Sequence, residues 1–266
     1  MDLGLDDKTA LVTGSYRGTG SGIARVLARE GARVIVHGLE SGQADEVAAQ
    51  IRAEGGEAVA VSGDIRNGAG AERVAREALE AAGRVDVLVN NYGLAAGGGW
   101  LDGGDDDWLD MYQVNVLSGV RLVRLLVPGM RERGWGRVLF VSTVGSLRPR
   151  AQTPGYYAAK TALLNMGLSL AKELARSGIT VNTVSPGIIA TAEVRASLER
   201  RARERGEDVD WDAIQSRAAS DFMPNLCGRI AEVEEIGQLV AFLSGRHAGY
   251  INGSHLRIDG GASDCL

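Results

Sequence analysis

Cysteine is scarce in this sequence: 266 residues hold two, Cys227 and Cys265. Neither has the paired spacing of a zinc site, and two are too few for a disulfide scaffold, so a reducing, cytoplasmic setting is expected. Histidine is nearly as rare. His37, His247 and His255 are scattered, and no metal centre is predicted. No long basic stretch exists, and the net charge is -5. The one Arg- and Glu-rich run, 199–212, mixes its signs as a solvated helix face does. Nucleic acid is therefore excluded as a partner. Apolar runs are too short to span a bilayer, and the acidic start, residues 1–7, lacks the apolar core of a signal peptide. Internal repeats and low-complexity segments are absent as well.

What is present is an ordinary globular composition, 45% hydrophobic and 24% charged. Thirty-seven glycines are spread along the chain rather than massed in a linker, which reads as turns and close backbone approaches. Short apolar runs alternate with helical periodicity. Strands are expected at 9–13, 33–37, 58–61, 85–90, 137–141, 179–184 and 254–258. Helices are expected at 20–29, 44–53, 70–82, 105–131, 156–175 and 233–243. Near-continuous apolar strands imply burial on both faces, hence a parallel sheet covered by helices. The fold class is α/β: a single-domain, Rossmann-type doubly wound sheet over residues 1–266. One stretch, about 191–227, is long and charged, and is expected to be a small helical lid or a loop.

Between the first strand and first helix lies Gly14-Ser15-Tyr16-Arg17-Gly18-Thr19-Gly20. Gly14 permits a tight turn, Gly18 lets the backbone approach a pyrophosphate, and Gly20 lets helix and sheet pack closely. The helix N-terminus adds free N–H groups and a positive dipole end. Glycines at this place predict a dinucleotide site.

The spacing Thr-Gly-x-x-x-Gly-x-Gly is similar to that of the short-chain dehydrogenase/reductase family, including its 3-oxoacyl-reductase-like members. The resemblance extends over nearly the whole chain. Asp64, followed by Ile65, resembles the adenine-contacting position. Asn90-Asn91-Tyr92-Gly93 resembles Asn-Asn-Ala-Gly, with Tyr92 in place of Ala. Asn115, Tyr156 with Lys160, Ser185-Pro186-Gly187, and the ending Ile258-Asp259-Gly260-Gly261 also match. The resemblance implies that the backbone of Ile188 and the hydroxyl of Thr191 fix a nicotinamide carboxamide, and that Asn115, through a helix irregularity, takes part in a water relay near the lysine. It also implies a homo-oligomer, a tetramer or a dimer, built through the two long helices.

Tyr156 and Lys160 stand one turn apart on one helix face. A phenol with a pKa of about 10 is a poor base at neutral pH, and a nearby ammonium lowers it. Tyr156 can then exchange a proton with a substrate oxygen while hydride passes at carbon. The family's third hydroxyl falls thirteen residues before the tyrosine, which is Thr143, with Ser142 the alternative if a loop residue is inserted. Neighbouring strand residues face opposite ways, so one of the two should reach the site.

NAD enzymes carry an acid at the end of the second strand. Here Gly38 stands there, and Arg17 sits in the glycine loop, so NADP(H) is favoured over NAD(H). The expected activity is hydride transfer between the nicotinamide and a ketone or secondary alcohol. Two rivals stay open: a non-redox lyase, isomerase or cyclase on the same scaffold, and an NADP(H)-binding regulator.

Overall fold

The computed structural model describes residues 1–207 and 210–264; Cys265 lies outside them, as do positions 208 and 209 of the expected lid. Seven strands form one sheet: β1 (Thr9–Val12), β2 (Arg33–Gly38), β3 (Ala58–Ser62), β4 (Val87–Asn90), β5 (Gly136–Val141), β6 (Ile179–Pro186) and β7 (His255–Ile258). Their order is β3-β2-β1-β4-β5-β6-β7, and every neighbouring pair is parallel. The helices are α1 (Gly18–Arg29), α2 (Asp45–Ala53), α3 (Gly68–Ala82), α4 (Asp105–Tyr112), α5 (Ser118–Glu132), α6 (Pro154–Glu173), α7 (Ala192–Glu204), α8 (Trp211–Arg217) and α9 (Val233–Ser244).

Strand side chains alternate between two cores. Ala10, Val12, Val34, Val36, Leu139 and Val141 pack with Ile23 and Leu27 of α1, Ile51 of α2 and Val240 of α9. Leu11, Ile35, Leu88, Val138 and Phe140 pack on the other face with Val74 of α3, Leu122 of α5 and Leu163 of α6. A period of two with both faces covered is what a buried parallel sheet requires. The chain leaves β1 toward β2 on one side and returns to β4 on the other. That reversal opens a crevice beyond the carboxyl ends of β1 and β4.

The expected elements are present, with shifted ends. The 105–131 helix is interrupted: α4 passes through a π-helical segment, Gln113–Leu117, into α5. α1 and α3 each begin two residues earlier than expected, as does α6, which opens on Pro154. Proline is favoured at a first helical position because its missing N–H has no partner there anyway. Among the described residues of the 191–227 stretch lie α7, α8 and a second π-helical segment, Ala218–Phe222. Thr191 caps α7 by accepting from Val194 N–H at 3.3 Å, and Asp210 caps α8 through Ala213 N–H at 3.2 Å.

Candidate active site

The β1–α1 turn is fixed by backbone and short side chains. Thr13 Oγ1 accepts from the N–H groups of Asn91 and Tyr92 at 3.0 and 2.9 Å, tying β1 to the end of β4. Asn91 Nδ2 donates back to Thr13 O at 2.9 Å. Gly14 has φ 62°, in the left-handed region that favours glycine. A Cβ at Gly20 would lie 2.5 Å from Gly14 O and 2.6 Å from Asn91 Nδ2, so α1 starts as close to the turn as atoms allow. Arg17 is the N-cap of α1, and its side chain makes no capping bond. The first N–H groups of the helix are thus left to an anion.

Sequence reasoning missed the residue that braces this turn. His37, at 0% exposure, accepts from Gly14 N–H through Nδ1 at 2.9 Å. Its Nε2 lies 2.9 Å from Gly63 O, so the ring is neutral with its proton on Nε2. Burial holds its pKa below the usual value. A histidine at the end of β2, one residue before Gly38, was the available signal.

A cleft of about 770 Å³ runs from the turn to α6, within the range of ligand pockets. Gly14, Tyr16, Arg17, Gly18, Thr19, Gly20, Tyr92, Gly93, Thr143, Tyr156, Lys160, Pro186, Gly187 and Thr191 are all on its wall. So are Asn91 and Ser142. Its charged lining is Arg17, Arg66 and Lys160 against Glu193, an excess of cations that suits phosphates. Arg66, absent from the expected set, grips Asp64 in a fork, Nε to Oδ1 at 2.8 Å and Nη2 to Oδ2 at 2.9 Å. This pair holds the Asp64 carboxyl below its usual pKa. Arg66, not Asp64, reaches the wall. Ser15 and Ile65 are buried behind it, at 0% and 1% exposure. Ser15 Oγ donates to Val12 O at 2.6 Å and accepts from His37 N–H at 2.9 Å. Gly38 is also buried and turned toward α2. Ile188 lines a separate small cavity with Met223 and Cys227, and Ile189 takes the place on the cleft wall expected of it. The difference is one residue of register in the loop after β6.

The catalytic end gathers at the ends of β5 and α6. Thr143 stands close enough to the Tyr156 phenol to oppose the rise in its pKa, while its Oγ1 accepts from Gly145 N–H at 3.2 Å. Ser142 instead donates to Lys160 O at 2.8 Å. Both neighbours lie beyond the end of β5 and both are on the cleft wall, so strand alternation does not separate them; Thr143 stands toward the phenol, and the Ser142 hydroxyl is spent on the α6 backbone. Lys160 is buried and donates to Val141 O at 2.8 Å. Burial without a carboxylate partner lowers its pKa to about 8. Tyr156 is raised to about 12, chiefly by burial, with Tyr157 adding and Thr143 opposing. The expected lowering by Lys160 is not what this arrangement produces, because the ammonium is turned to the strand. A neutral phenol is a proton donor, which suits carbonyl reduction.

Asn115 sits in the π-helical segment. Where the ladder shifts to i→i+5, its Nδ2 takes Met111 O at 3.0 Å. The same amide pairs with Leu94, accepting from its N–H at 3.1 Å and donating to its O at 3.0 Å. A Cβ at Gly93 would lie 2.6 Å from Asn115 Oδ1 and 2.7 Å from Lys160 Nζ, so Asn115, Gly93 and Lys160 form one packed group. Tyr157 is not at the cleft; its ring lies against Gly145, where a Cβ would collide with it. Among the described residues, no group of three or more His, Cys, Asp and Glu side chains could hold a metal ion. No helix there is long and apolar enough to cross a membrane.

A dinucleotide-sized crevice at the switch point of a doubly wound sheet, joined to a Thr–Tyr–Lys cluster, defines a nucleotide-dependent oxidoreductase architecture. A family model described as short chain dehydrogenase matches residues 8–202, and the chain belongs to that family. It is an oxidoreductase that moves hydride between a nicotinamide and a ketone or alcohol. It is similar to the uncharacterized oxidoreductase YvaG of Bacillus subtilis, 36% identical over 98% of both chains. The D-beta-hydroxybutyrate dehydrogenase of Cupriavidus necator is 34% identical over 97% of this chain and 98% of the relative. Among solved structures, L-sorbose reductase from Gluconobacter frateurii, complexed with NADPH and L-sorbose, superposes with a TM-score of 0.92 at 30% identity over all of both chains. A 3-oxoacyl (acyl-carrier-protein) reductase from Agrobacterium tumefaciens with NADP bound gives 0.85 at 32% identity, over 98% of this chain and 96% of that one. These relatives are named as oxidoreductases, dehydrogenases or reductases, and neither rival reading gains support from them.

Proposed function

We propose that this chain is an NADP(H)-dependent carbonyl reductase acting on a ketone or, in reverse, a secondary alcohol. One catalytic domain, residues 1–266, carries it, with 191–227 as a lid. The observation that carries the reading is the shared cleft: the Tyr156–Thr143 pair opens on the same wall as the β1–α1 turn. The turn and the α1 N-terminus would hold the pyrophosphate, and Pro186, Gly187, Ile189 and Thr191 the nicotinamide end. When bound, the nicotinamide supplies or takes up the hydride. Thr143 donates to the substrate oxygen and orients it, and Tyr156 gives that oxygen its proton on reduction. Lys160 offers an ammonium to the cofactor ribose and, through it, to the phenol. Asn115 holds the β4 loop against α4 and keeps Lys160 in place.

NADP(H) is supported by Arg17 and Arg66 on the wall, by Gly38 in place of an acid, and by the cofactors of the two structural neighbours. A homo-oligomer, tetramer or dimer, in the cytoplasm is the assembly expected, and it would cover the apolar groove of about 460 Å³ shared by α5 and α6 and lined by Val123, Val127, Met166 and Leu170. Sedimentation tests the oligomer. For the activity, purified protein with NADPH or NADH and a panel of ketones is followed by absorbance of the reduced nicotinamide. Turnover that disappears in Tyr156→Phe is expected. Tight NADPH binding with no turnover across hydroxy-acid precursors, ketoses and 3-oxoacyl thioesters would overturn the reading.

A further inference from the structure

A second cavity, of about 210 Å³, lies within the 191–227 stretch. Leu198 and Ala202 of α7, Ile214 of α8, and Ala218 and Phe222 of the π-helical segment give it an apolar lining. Its charged residues are Arg201, Arg205 and Arg217 against Glu207 and Asp221, which leaves one positive charge in excess. Glu207 is shared by two of the cations, Arg217 and, at 3.9 Å, Arg205. No ion pair among the described residues engages Arg201, whose guanidinium lies 6.0 Å from the Phe222 ring. One turn of α7 separates this cavity from the cleft. Val194 is on the cleft wall, and Leu198, Arg201, Ala202 and Arg205 follow it at helical spacing along the same face. Phe222 also carries Arg150, which stands in the loop that leads to Tyr156. The cavity is smaller than a pocket for a whole drug-sized ligand, so it suits one end of a molecule whose other end lies elsewhere.

We propose that this cavity is the distal end of the substrate site, and that the ketone carries an apolar chain ending in a carboxylate that Arg201 receives. The proposal rests on the carbonyl-reductase reading above. The apolar lining takes the chain. A lone guanidinium matches a carboxylate with two parallel hydrogen bonds and balances its single charge, whereas a doubly charged phosphate would stay partly uncompensated. The rise of α7 from Val194 to Arg201 is about 10 Å, so the carboxylate stands about eight or more methylenes from the carbonyl carbon. A short oxo acid cannot span that gap.

The probes are 11-oxododecanoate, its methyl ester and 4-oxopentanoate, each followed with reduced nicotinamide by absorbance. The long acid is expected to exceed its ester about thirtyfold in kcat/KM, through KM, and the gap should narrow at high salt. Arg201→Gln should raise KM for 11-oxododecanoate about tenfold and leave its kcat, the ester and 4-oxopentanoate within about twofold. Arg201 is exposed, so its replacement spares the fold. Arg201→Lys, which keeps the charge and loses the fork, should cost about threefold on the long acid alone. Equal kcat/KM for acid and ester in the unaltered protein, or an Arg201→Gln effect that falls on the ester as well, overturns the subsite and leaves the reductase reading intact. So does failure to turn over 11-oxododecanoate in a protein that reduces another ketone. Absence of turnover with every ketone overturns both.

Discussion

The two halves of the cleft are built from different materials. On the cofactor side, loops are locked by backbone groups and short buried side chains: Thr13 to the β4 loop, His37 between Gly14 and Gly63, Asn91 back to Thr13. On the substrate side, the lid is held by long charged side chains. Arg195 pairs with Glu232 at 2.8 Å and lies over Trp211, and Arg217 pairs with Glu207. Its own apolar cluster is small: Ala190, Ala218 and Ile230, with Ile188, Leu198 and Trp211 packed around them. Exposed ion pairs contribute little stability, so the proposed lid is expected to shift more readily than the turn. The contrast matches the tasks: the cofactor is one fixed shape, whereas a substrate must enter and leave.

The comparison breaks first at the boundary between the halves, where neighbouring hydroxyls are proposed to have opposite duties. Thr143→Ala should lower kcat about 10²–10³-fold, because a donor aimed at the substrate oxygen is lost. Ser142→Ala should leave kcat within about threefold and cost about 1 kcal/mol of stability, since its bond to Lys160 O is structural. Steady-state kinetics and urea melts of the pair decide this; a reversal of the two effects would exchange their roles.

Gly20→Ala tests the rigidity of the cofactor side. The added methyl meets Gly14 O and Asn91 Nδ2, neither of which can give without opening the turn. NADPH affinity, followed by fluorescence, should fall about 100-fold, and stability by about 1–3 kcal/mol. A lid glycine such as Gly206, with no atom within 4 Å of its Cβ but φ 66°, would lose only the smaller strain of a positive φ.

The same difference separates what was legible in the sequence from what was not. Strand alternation and the glycine spacing are local, so the sheet, the switch point and the turn could be read directly. The placing of Tyr156 and Lys160 on one helix face could be read from periodicity; the choice between Thr143 and Ser142 could not, because the count leaves both open and both line the cleft. His37 could not, because its role comes from contacts across the fold: it joins the turn after β1 to the residue after β3. Arg66 in place of Asp64 at the wall, and Ile189 in place of Ile188, depend on loop geometry that no period encodes. The π-helical segment around Asn115 leaves no mark on the apolar pattern, which continues that of the flanking helix, so only the family resemblance pointed to an irregularity there.

Lys160 sharpens the comparison by setting stability against activity in one side chain. Its ammonium is buried with one carbonyl partner and no carboxylate. Lys160→Met should lower kcat/KM about fiftyfold and raise stability by about 1 kcal/mol at pH 7. The pH dependence has a definite sign. The folded-state pKa, about 8, lies below the ordinary 10.5, so the unfolded chain holds more protons between those values. The stability contributed by this site therefore rises as pH climbs from 8 to 10.5, and the advantage of the Met variant shrinks over that window. Parallel chemical melts at pH 7 and pH 10 measure it; an equal gap at both would show that burial of charge is not the cause.

The smallest effect is expected in the lid itself. Arg150, in the loop before α6, lies 3.8 Å over the Phe222 ring and donates to Phe222 O at 2.5 Å. It joins the segment that follows Thr143 to the π-helical end of the lid, and no other group on the β5–α6 loop makes such a contact among the described residues' hydrogen bonds to 218–222. A stacked guanidinium at a half-exposed site contributes about 0.5–1 kcal/mol. Arg150→Ala should therefore raise KM for the carbonyl substrate about threefold to fivefold and leave kcat and NADPH affinity unchanged. The change belongs to closure over substrate, and the turn that holds the cofactor is braced elsewhere. Loss of NADPH affinity in this variant would mean that the lid and the glycine turn are one mechanical unit, and that the division between a fixed half and a movable half does not hold.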